Sequence, residues 1–304
     1  MESTVSRIDV SGVDISKLPK RKRGEDLRRL WYKFYLKKVS VVGLAIILLV
    51  ALVAIFYKWI APYPDHVGAM VDFKNANMPP SAAHLLGTDT VGRDILSRIM
   101  YAFRGALAMG VVAILAIMPI GSILGLIAGY MKGRFISNFI MRVADVFLAL
   151  PTLILVMTVS SLMTPSMENA MLAISVSWWP WYARLVYGIV CSTRNEIYVR
   201  SAEVLGASRW HIMFKEILPN ARGPILTKMT LDFGVAILAG ATLSFVGMGE
   251  QPPTPSLGAM VSSGVEYLPD QWWLSVFPAL AIMLIVLGFN LLGDGIGDML
   301  SDVE

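Results

Sequence analysis

Ionisable residues inside apolar stretches are the natural starting point, because a charge removed from water is costly and marks a functional position by default. Arg142 and Asp145 stand three residues apart, which puts them on one helix face where they can pair. Arg184 follows the aromatic run Trp178-Trp179-Pro180-Trp181-Tyr182. These three ionisable residues could line a path for a polar solute. They could equally form a structural ion pair, with Arg184 extending its stem to the interface. The aromatic run could stack on a sugar or a peptide, or simply pack a helix flank. No carboxylate is expected at the middle of an apolar run. His84, Asp89 and Asp94 are metal-ligand types. However, Asp89 precedes Arg93 by four, and Thr88 or Asp89 suits a helix cap, so pairing and capping are the better account and no metal is assigned.

Other chemistries lack their residues. There is no Gly-Lys dipeptide, hence no phosphate-binding P-loop, and no Gly-x-Ser-x-Gly or His-Glu-x-x-His pattern. Gly293-Asp-Gly295-Ile-Gly297 is not a dinucleotide loop, since no strand precedes it. Cys191 is the single cysteine, and the three histidines (His66, His84, His211) are scattered. A non-catalytic chain without a cofactor is expected. If ATP powers it, the nucleotide and its Mg belong to another polypeptide.

The elements that must hold these residues are membrane helices. Of 304 residues, 56% are hydrophobic and 16% charged, against roughly 45–50% and about 25% in soluble domains. Mean hydropathy is +0.62. A disordered chain, a collagen-like fibre and an ordinary cytosolic enzyme are excluded. Apolar runs long enough to cross a bilayer predict six spans near 39–60, 103–131, 136–164, 168–192, 224–248 and 271–293. Because the runs are continuous rather than alternating, they are helices and not barrel strands. The first run is too long for a signal-peptide core and reads as an uncleaved span. Gly121, Gly125 and Gly129 recur every four residues, suiting close helix packing, with Pro119 nearby as a possible hinge.

Charge asymmetry orients the chain. Residues 1–38 hold 11 of the 26 Lys and Arg. The expected inner loops carry Lys132, Arg134, Arg194, Arg200, Arg209, Lys215 and Arg222. The expected outer loops 165–167 and 249–270 carry none, and 61–102 has Lys74, Arg93 and Arg98. The positive-inside rule then predicts a multi-pass protein of the cell membrane with both termini cytoplasmic. The acidic end (Asp294, Asp298, Asp302, Glu304) opposes the trend but weighs little. A net charge of +4 placed in this way faces the membrane surface, and no nucleic-acid partner is expected. Three segments are expected: a basic tail over 1–38, the first span and outer loop over 39–102, and the main body over 103–304 with the loop 193–223. In the tail, Leu27, Leu30, Trp31, Phe34 and Tyr35 predict an amphipathic helix, either an interfacial anchor or a partner-binding arm.

The loop 193–223 is the most informative segment. Tyr198, Ala202 and Leu205 mark the apolar side of a short helix that Gly206 breaks. Ser208 is a good N-cap for a second helix, whose stripe is Trp210, Met213, Phe214 and Ile217. Pro219 should stop that helix, since it biases Leu218 away from helical geometry. Two short amphipathic helices at an angle suit the groove of a soluble partner, or a hairpin lying on lipid.

This loop resembles the EAA loop of binding-protein-dependent ABC importer permeases. Leu205-Gly206-Ala207-Ser208 is followed by Pro219-Asn220, with Gly206 and Pro219 thirteen apart as in the family pattern. The family's Glu-Ala-Ala triplet falls on Arg200-Ser201-Ala202, where only the last alanine agrees, and Glu203 follows. Four more stretches resemble the second permease subunit of dipeptide, oligopeptide and nickel importers. They are Ile60-Ala61-Pro62-Tyr63, the run from His84 to Arg98, Gln251-Pro-Pro-Thr-Pro-Ser256 and Phe289-Asn-Leu-Leu-Gly-Asp-Gly295.

The resemblance implies an all-α integral membrane protein with six transmembrane helices, like a type I ABC importer permease, with a cytoplasmic coupling-helix loop. It implies that the chain forms half of a translocation pathway for di- and oligopeptides. Oligosaccharides and nickel complexes are the cargo of close relatives. Coupling to the ATPase would fall to Ala202, Glu203, Leu205, Gly206, Ala207, Ser208, Trp210, Met213, Phe214, Ile217, Pro219 and Asn220. Arg142, Asp145 and Arg184 are the pathway candidates. The implied partners are a second homologous permease in a heterodimer, two ATP-binding subunits, an extracytoplasmic solute-binding protein that the 84–98 segment could dock, and the lipid membrane. The rival from another class is an ion-driven secondary transporter, disfavoured by the lack of an evident internal repeat.

Overall fold

The computed structural model describes residues 31, 32 and 34–301. Leu27 and Leu30 of the expected amphipathic tail helix lie outside the described residues; within them, Trp31 stacks on the buried Phe34 with ring centroids 5.8 Å apart.

The described residues are helical, with one isolated antiparallel bridge between Thr88 and Asp94. The long helices are α1 (Lys38–Ile60), α2 (Ile95–Tyr130), α5 (Met167–Thr193), α7 (Arg209–Phe245) and α9 (Trp273–Ser301). Shorter ones are α3 (Phe135–Ala149), α4 (Thr152–Ser161), α6 (Ile197–Val204) and α8 (Leu257–Val265). Four helices, α1, α2, α7 and α9, are long and apolar enough to cross a membrane. The α3–α4 pair makes a fifth if counted as one span. The 27 residues of α5 reach about 40 Å, long enough to cross, but Arg184 and its polar neighbours dilute its hydropathy.

The third expected span is corrected by this structure. Residues 136–164 form two helices bent by 92°, broken at Leu150 and Pro151. Proline lacks an N–H and forces the preceding residue into extended geometry, and Leu150 takes φ −92°, ψ 142°.

The glycine repeat of α2 is a packing seam. A Cβ at Gly121 would sit 2.5 Å from the Trp179 carbonyl oxygen, and one at Gly129 would lie 2.6 Å from Val190 Cβ. Gly125 faces the Ala183 carbonyl more closely still, so α2 and α5 meet backbone to backbone.

The segment before α2 is also corrected in one respect. Neither Thr88 nor Asp89 caps a helix. The Asp94 carboxylate caps α2, accepting from Ser97 N at 2.8 Å and Ser97 Oγ at 2.7 Å. Asp89 closes its own turn instead, accepting from the backbone N–H groups of Val91 (3.0 Å) and Arg93 (2.8 Å) and from Arg93 Nε (2.8 Å). The turn folds back, with Asp89 N donating to Arg93 O, and the carboxylate reaches α2 only through the Arg98 guanidinium, whose Nε lies 3.6 Å from Asp89 Oδ2. Among the described residues no group of three or more His, Cys, Asp and Glu is arranged to hold a metal ion.

Two contacts gather the basic residues at one end. Lys37 pairs with Asp298, so α1 begins where α9 finishes. Tyr130 Oη donates to Glu203 Oε1 at 3.3 Å, which places α6 beneath the end of α2. We call this the basic end.

Candidate functional site

At the basic end, α6 closes in a glycine turn. Ala207 N donates to Ala202 O and Gly206 N to Glu203 O, each at 3.0 Å, with Gly206 at φ +81°. This is the Schellman pattern, which satisfies the last carbonyls of a helix and needs a residue at ease with positive φ. Ser208 then caps the next helix, its Oγ accepting from His211 N at 3.2 Å. The inner face of α6 is pinned by Val199, fully buried in a cluster with Leu126, Tyr130, Val190, Ile212 and Ile217. Ala202, Ala207 and Leu218 pack against the same cluster.

The opposite face is bare. Val204 is 88% exposed, Leu205 86% and Trp210 62%. The expected stripe splits in two. Met213 and Ile217 are buried, whereas Trp210 and Phe214 lie on the outside and stack with ring centroids 5.7 Å apart.

Pro219 does not stop the helix. The helix runs from Arg209 unbroken to Phe245, through a π-helical stretch at Ile212–Ile217. A π turn pairs residues five apart, so the widened ladder absorbs the missing proline N–H and moves its ring off the carbonyl four residues back. The second short helix is thus the first part of α7. Asn220 locks the junction, its Nδ2 donating to Tyr198 Oη at 2.8 Å and to Glu216 O at 2.7 Å. Burial lifts the Tyr198 phenol above its ordinary pKa, so it stays protonated. Where the family has its glutamate, Arg200 is exposed and reaches Asn195 Oδ1 at 3.4 Å; the contact to α2 is made by Glu203.

Of the three intramembrane candidates, Asp145 pairs with Arg184 across α3 and α5, and not with Arg142. The α3 face bearing Asp145 is turned to α5, where Phe147 meets Trp179 with centroids 5.8 Å apart. A nearby site was missed by sequence reasoning. A cavity of about 480 Å³ is lined by Thr152 at the start of α4, Trp178 and Trp181 of α5, and Lys228 and Asp232 of α7. Lys228 Nζ lies 3.2 Å from Asp232 Oδ1 and 3.1 Å from Oδ2. It also sits over the rings of Tyr182 (5.4 Å) and Trp181 (5.8 Å). The Trp178 side chain is buried and its indole N–H has no partner.

The expectation of no carboxylate at mid-span therefore fails. Asp232 is four residues, about 6 Å, from the centre of the expected span 224–248. The signal was present in that segment as a Lys and an Asp at i, i+4 spacing among apolar residues.

The chain matches two family models. Residues 121–302 match the binding-protein-dependent transport system inner membrane component, and residues 27–80 match the N-terminal membrane domain of oligopeptide transport permease C. It is 43% identical over 282 residues to a dipeptide transport system permease protein of Escherichia coli, covering 90% of this chain and 92% of that one. It is 42% identical over 263 residues to a probable D,D-dipeptide transport system permease protein of the same species, covering 86% and 87%. A glutathione transport system permease protein of Pectobacterium atrosepticum is 39% identical over 275 residues, covering 90% of each.

Proposed function

Because this chain belongs to the inner membrane component family of binding-protein-dependent transport systems, we propose that its 193–223 loop is the handle by which a separate ATPase moves the spans. The chain is a multi-pass membrane permease subunit, a component of a peptide importer. Di- and oligopeptides are its cargo, carried along a path shared with a second, homologous permease. Two ATP-binding subunits hold ATP and Mg, and this chain performs no catalysis itself. A solute-binding protein delivers peptide from outside. The basic end faces the cytoplasm, as the positive-inside rule requires, with both termini there.

One observation carries this reading: an apolar face of Val204, Leu205 and Trp210 is turned outward at the basic end on a rigid glycine turn. An exposed apolar face rimmed by polar residues marks a protein contact. ATP shifts the transporter only if the ATPase binds one conformation better than the other, and this face is where that difference is transmitted. Behind it, the buried cluster around Val199 joins the loop to α2, α5 and α7, so a pull on the face reaches three spans.

The test uses the whole importer in proteoliposomes. Trp210→Asp should abolish peptide-stimulated ATP hydrolysis and release the ATPase subunits during purification. Unaltered stimulation with Trp210→Asp and Leu205→Asp combined would sink the reading.

A further inference from the structure

The Lys228–Asp232 pair has no part in the handle. Ionisable groups within a span face the protein interior or a water-filled cavity, because lipid cannot solvate them. Here both line the 480 Å³ cavity, whose size falls within the roughly 300–1,000 Å³ of ligand sites. Its polar groups divide by sign. The donors are the Lys228 ammonium and the backbone at the start of α4, where Pro151 supplies no side-chain cap. The charged acceptor is Asp232. The rest of the wall is apolar or neutral, including Leu153, Val235 and Leu238.

We propose that this cavity is the membrane-level subsite for zwitterionic peptides. Asp232 receives the peptide ammonium, and Lys228 receives the peptide carboxylate. This rests on the reading of the chain as a peptide-importer component and adds which atoms recognise the cargo.

The charge logic favours a zwitterion over any single ion. Empty, the two side chains neutralise each other. A lone cation taking Asp232 would strand the Lys228 ammonium in a largely apolar wall, and a lone anion would strand Asp232; breaking one partner from a half-buried pair is unfavourable. A zwitterion exchanges one ion pair for two and strands nothing. Side-chain tolerance follows, since the wall offers no further ionisable group to read a peptide side chain. A helix break fits as well. Pro151 interrupts α3–α4 beside Thr152. Discontinuous helices at mid-membrane are where transporters place their substrate sites.

The test is binding of Ala-Ala to the purified importer lacking its solute-binding protein, followed by tryptophan fluorescence. Saturable binding of Ala-Ala is expected, with N-acetyl-Ala-Ala-amide at least about tenfold weaker. Asp232→Asn and Lys228→Met should each weaken Ala-Ala binding by about tenfold or more. The exchanged pair, Lys228→Asp with Asp232→Lys, should recover most of it, which a merely structural role would not do. No saturable binding, or equal binding of the free and blocked peptides, overturns the proposal. That comparison uses the unaltered protein and stands even if a variant fails to assemble. Uptake with the solute-binding protein present separates the two readings. An importer that moves no dipeptide under ATP fails as a peptide importer. One that moves dipeptide equally well as wild type and as Asp232→Asn keeps its function and loses this subsite.

Discussion

The handle and the cavity invert the usual placement of residues in opposite ways. At the basic end, Val204, Leu205 and Trp210 turn apolar surface toward water. In the membrane, Lys228 and Asp232 turn charge into an apolar wall. Each is unfavourable for the chain alone, and on the proposed reading each is relieved by something the chain does not contain, a protein surface in one case and a polar solute in the other. The comparison teaches that the cost is local. Between the two regions the packing is conventional: a buried cluster at the basic end and the glycine seam that brings α2 against α5. One helix links them. Trp210 and Asp232 both belong to α7, 22 residues or about 33 Å apart, with the π stretch near the handle. A rotation of the handle therefore turns the cavity wall.

The largest expected effect breaks the cavity side. Asp232→Ala leaves the Lys228 ammonium without its partner, which costs about 3–5 kcal/mol for a fully buried pair and less here, where the two side chains are 27% and 15% exposed. Thermal unfolding of the purified importer should show it as a clear loss. Lys228→Met with Asp232→Leu removes both charges and should unfold near the wild-type temperature while transporting nothing. A single variant as stable as wild type would mean the pair faces bulk water, and the inversion would vanish.

The handle should behave in the opposite way. Leu205→Ala removes an exposed side chain, and Trp210→Ala loses within this chain its stack on Phe214, so the isolated permease should keep most of its stability. Burying such a side chain in a partner is worth roughly 1.5–3 kcal/mol, so ATPase retention should fall by about tenfold or more per substitution. Pull-down of the ATPase at several concentrations measures this. Val199→Ala sharpens the contrast, since Val199 is fully buried and its loss should cost stability first.

These regions were unequally legible in the sequence. The apolar runs placed every long helix, because burial in lipid demands length and continuity, both of which are linear properties. The turn at Gly206 and the cap at Ser208 were also legible, being local. What failed depended on three dimensions. Pro219 was read as a stop because the π stretch that accommodates it cannot be seen in a propensity. Pro151 was passed over inside an apolar run because hydropathy ignores a missing N–H. Asp145 was matched to its neighbour Arg142, whereas the partner comes from α5. Lys228 and Asp232 fall inside the expected span 224–248, where an apolar average hides two opposite charges four residues apart.

A smaller effect isolates backbone strain from contact. Gly206 and Gly133 both sit at the basic end with positive φ (+81° and +84°), and a Cβ at either would meet nothing within 4 Å. Alanine at each should cost a similar ~1–2 kcal/mol from the left-handed backbone alone. Only Gly206→Ala should also lower peptide-stimulated ATP hydrolysis, since only Gly206 aims the apolar face. Equal losses of stimulation in both variants would assign the effect to general destabilisation and remove the handle's special status.

The smallest effect belongs to a reference region, the segment before α2, where two histidines meet the Asp94 cap. In the segment before α2, Asp94 N donates to His66 Nδ1 at 2.9 Å, and Asp94 Oδ1 lies 3.0 Å from His84 Nδ1. The first of these bonds needs an unprotonated Nδ1. Partial burial lowers the His66 pKa below its ordinary 6.5, opposed by the nearby carboxylates of Asp94, Asp72 and Asp65 and reinforced by His84. The unfolded segment thus binds the proton more readily than the folded one. The stabilisation is complete above about pH 6.5 and is lost as pH falls through the lower folded value. Hydrogen exchange at Asp94 and Ser97 should accordingly rise, beyond the intrinsic rate change, between about pH 7 and 5.5. His66→Gln, which offers an amide oxygen as acceptor, should flatten that dependence. Exchange in α6 and around Lys228 should stay level over the same range: the histidine contact at the handle, His211 Nε2 to Glu216 at 3.4 Å, is exposed and holds no backbone N–H. If α6 loosened in step with the segment before α2, the two regions would be coupled through protonation, and the handle and the cavity could no longer be treated as separately relieved.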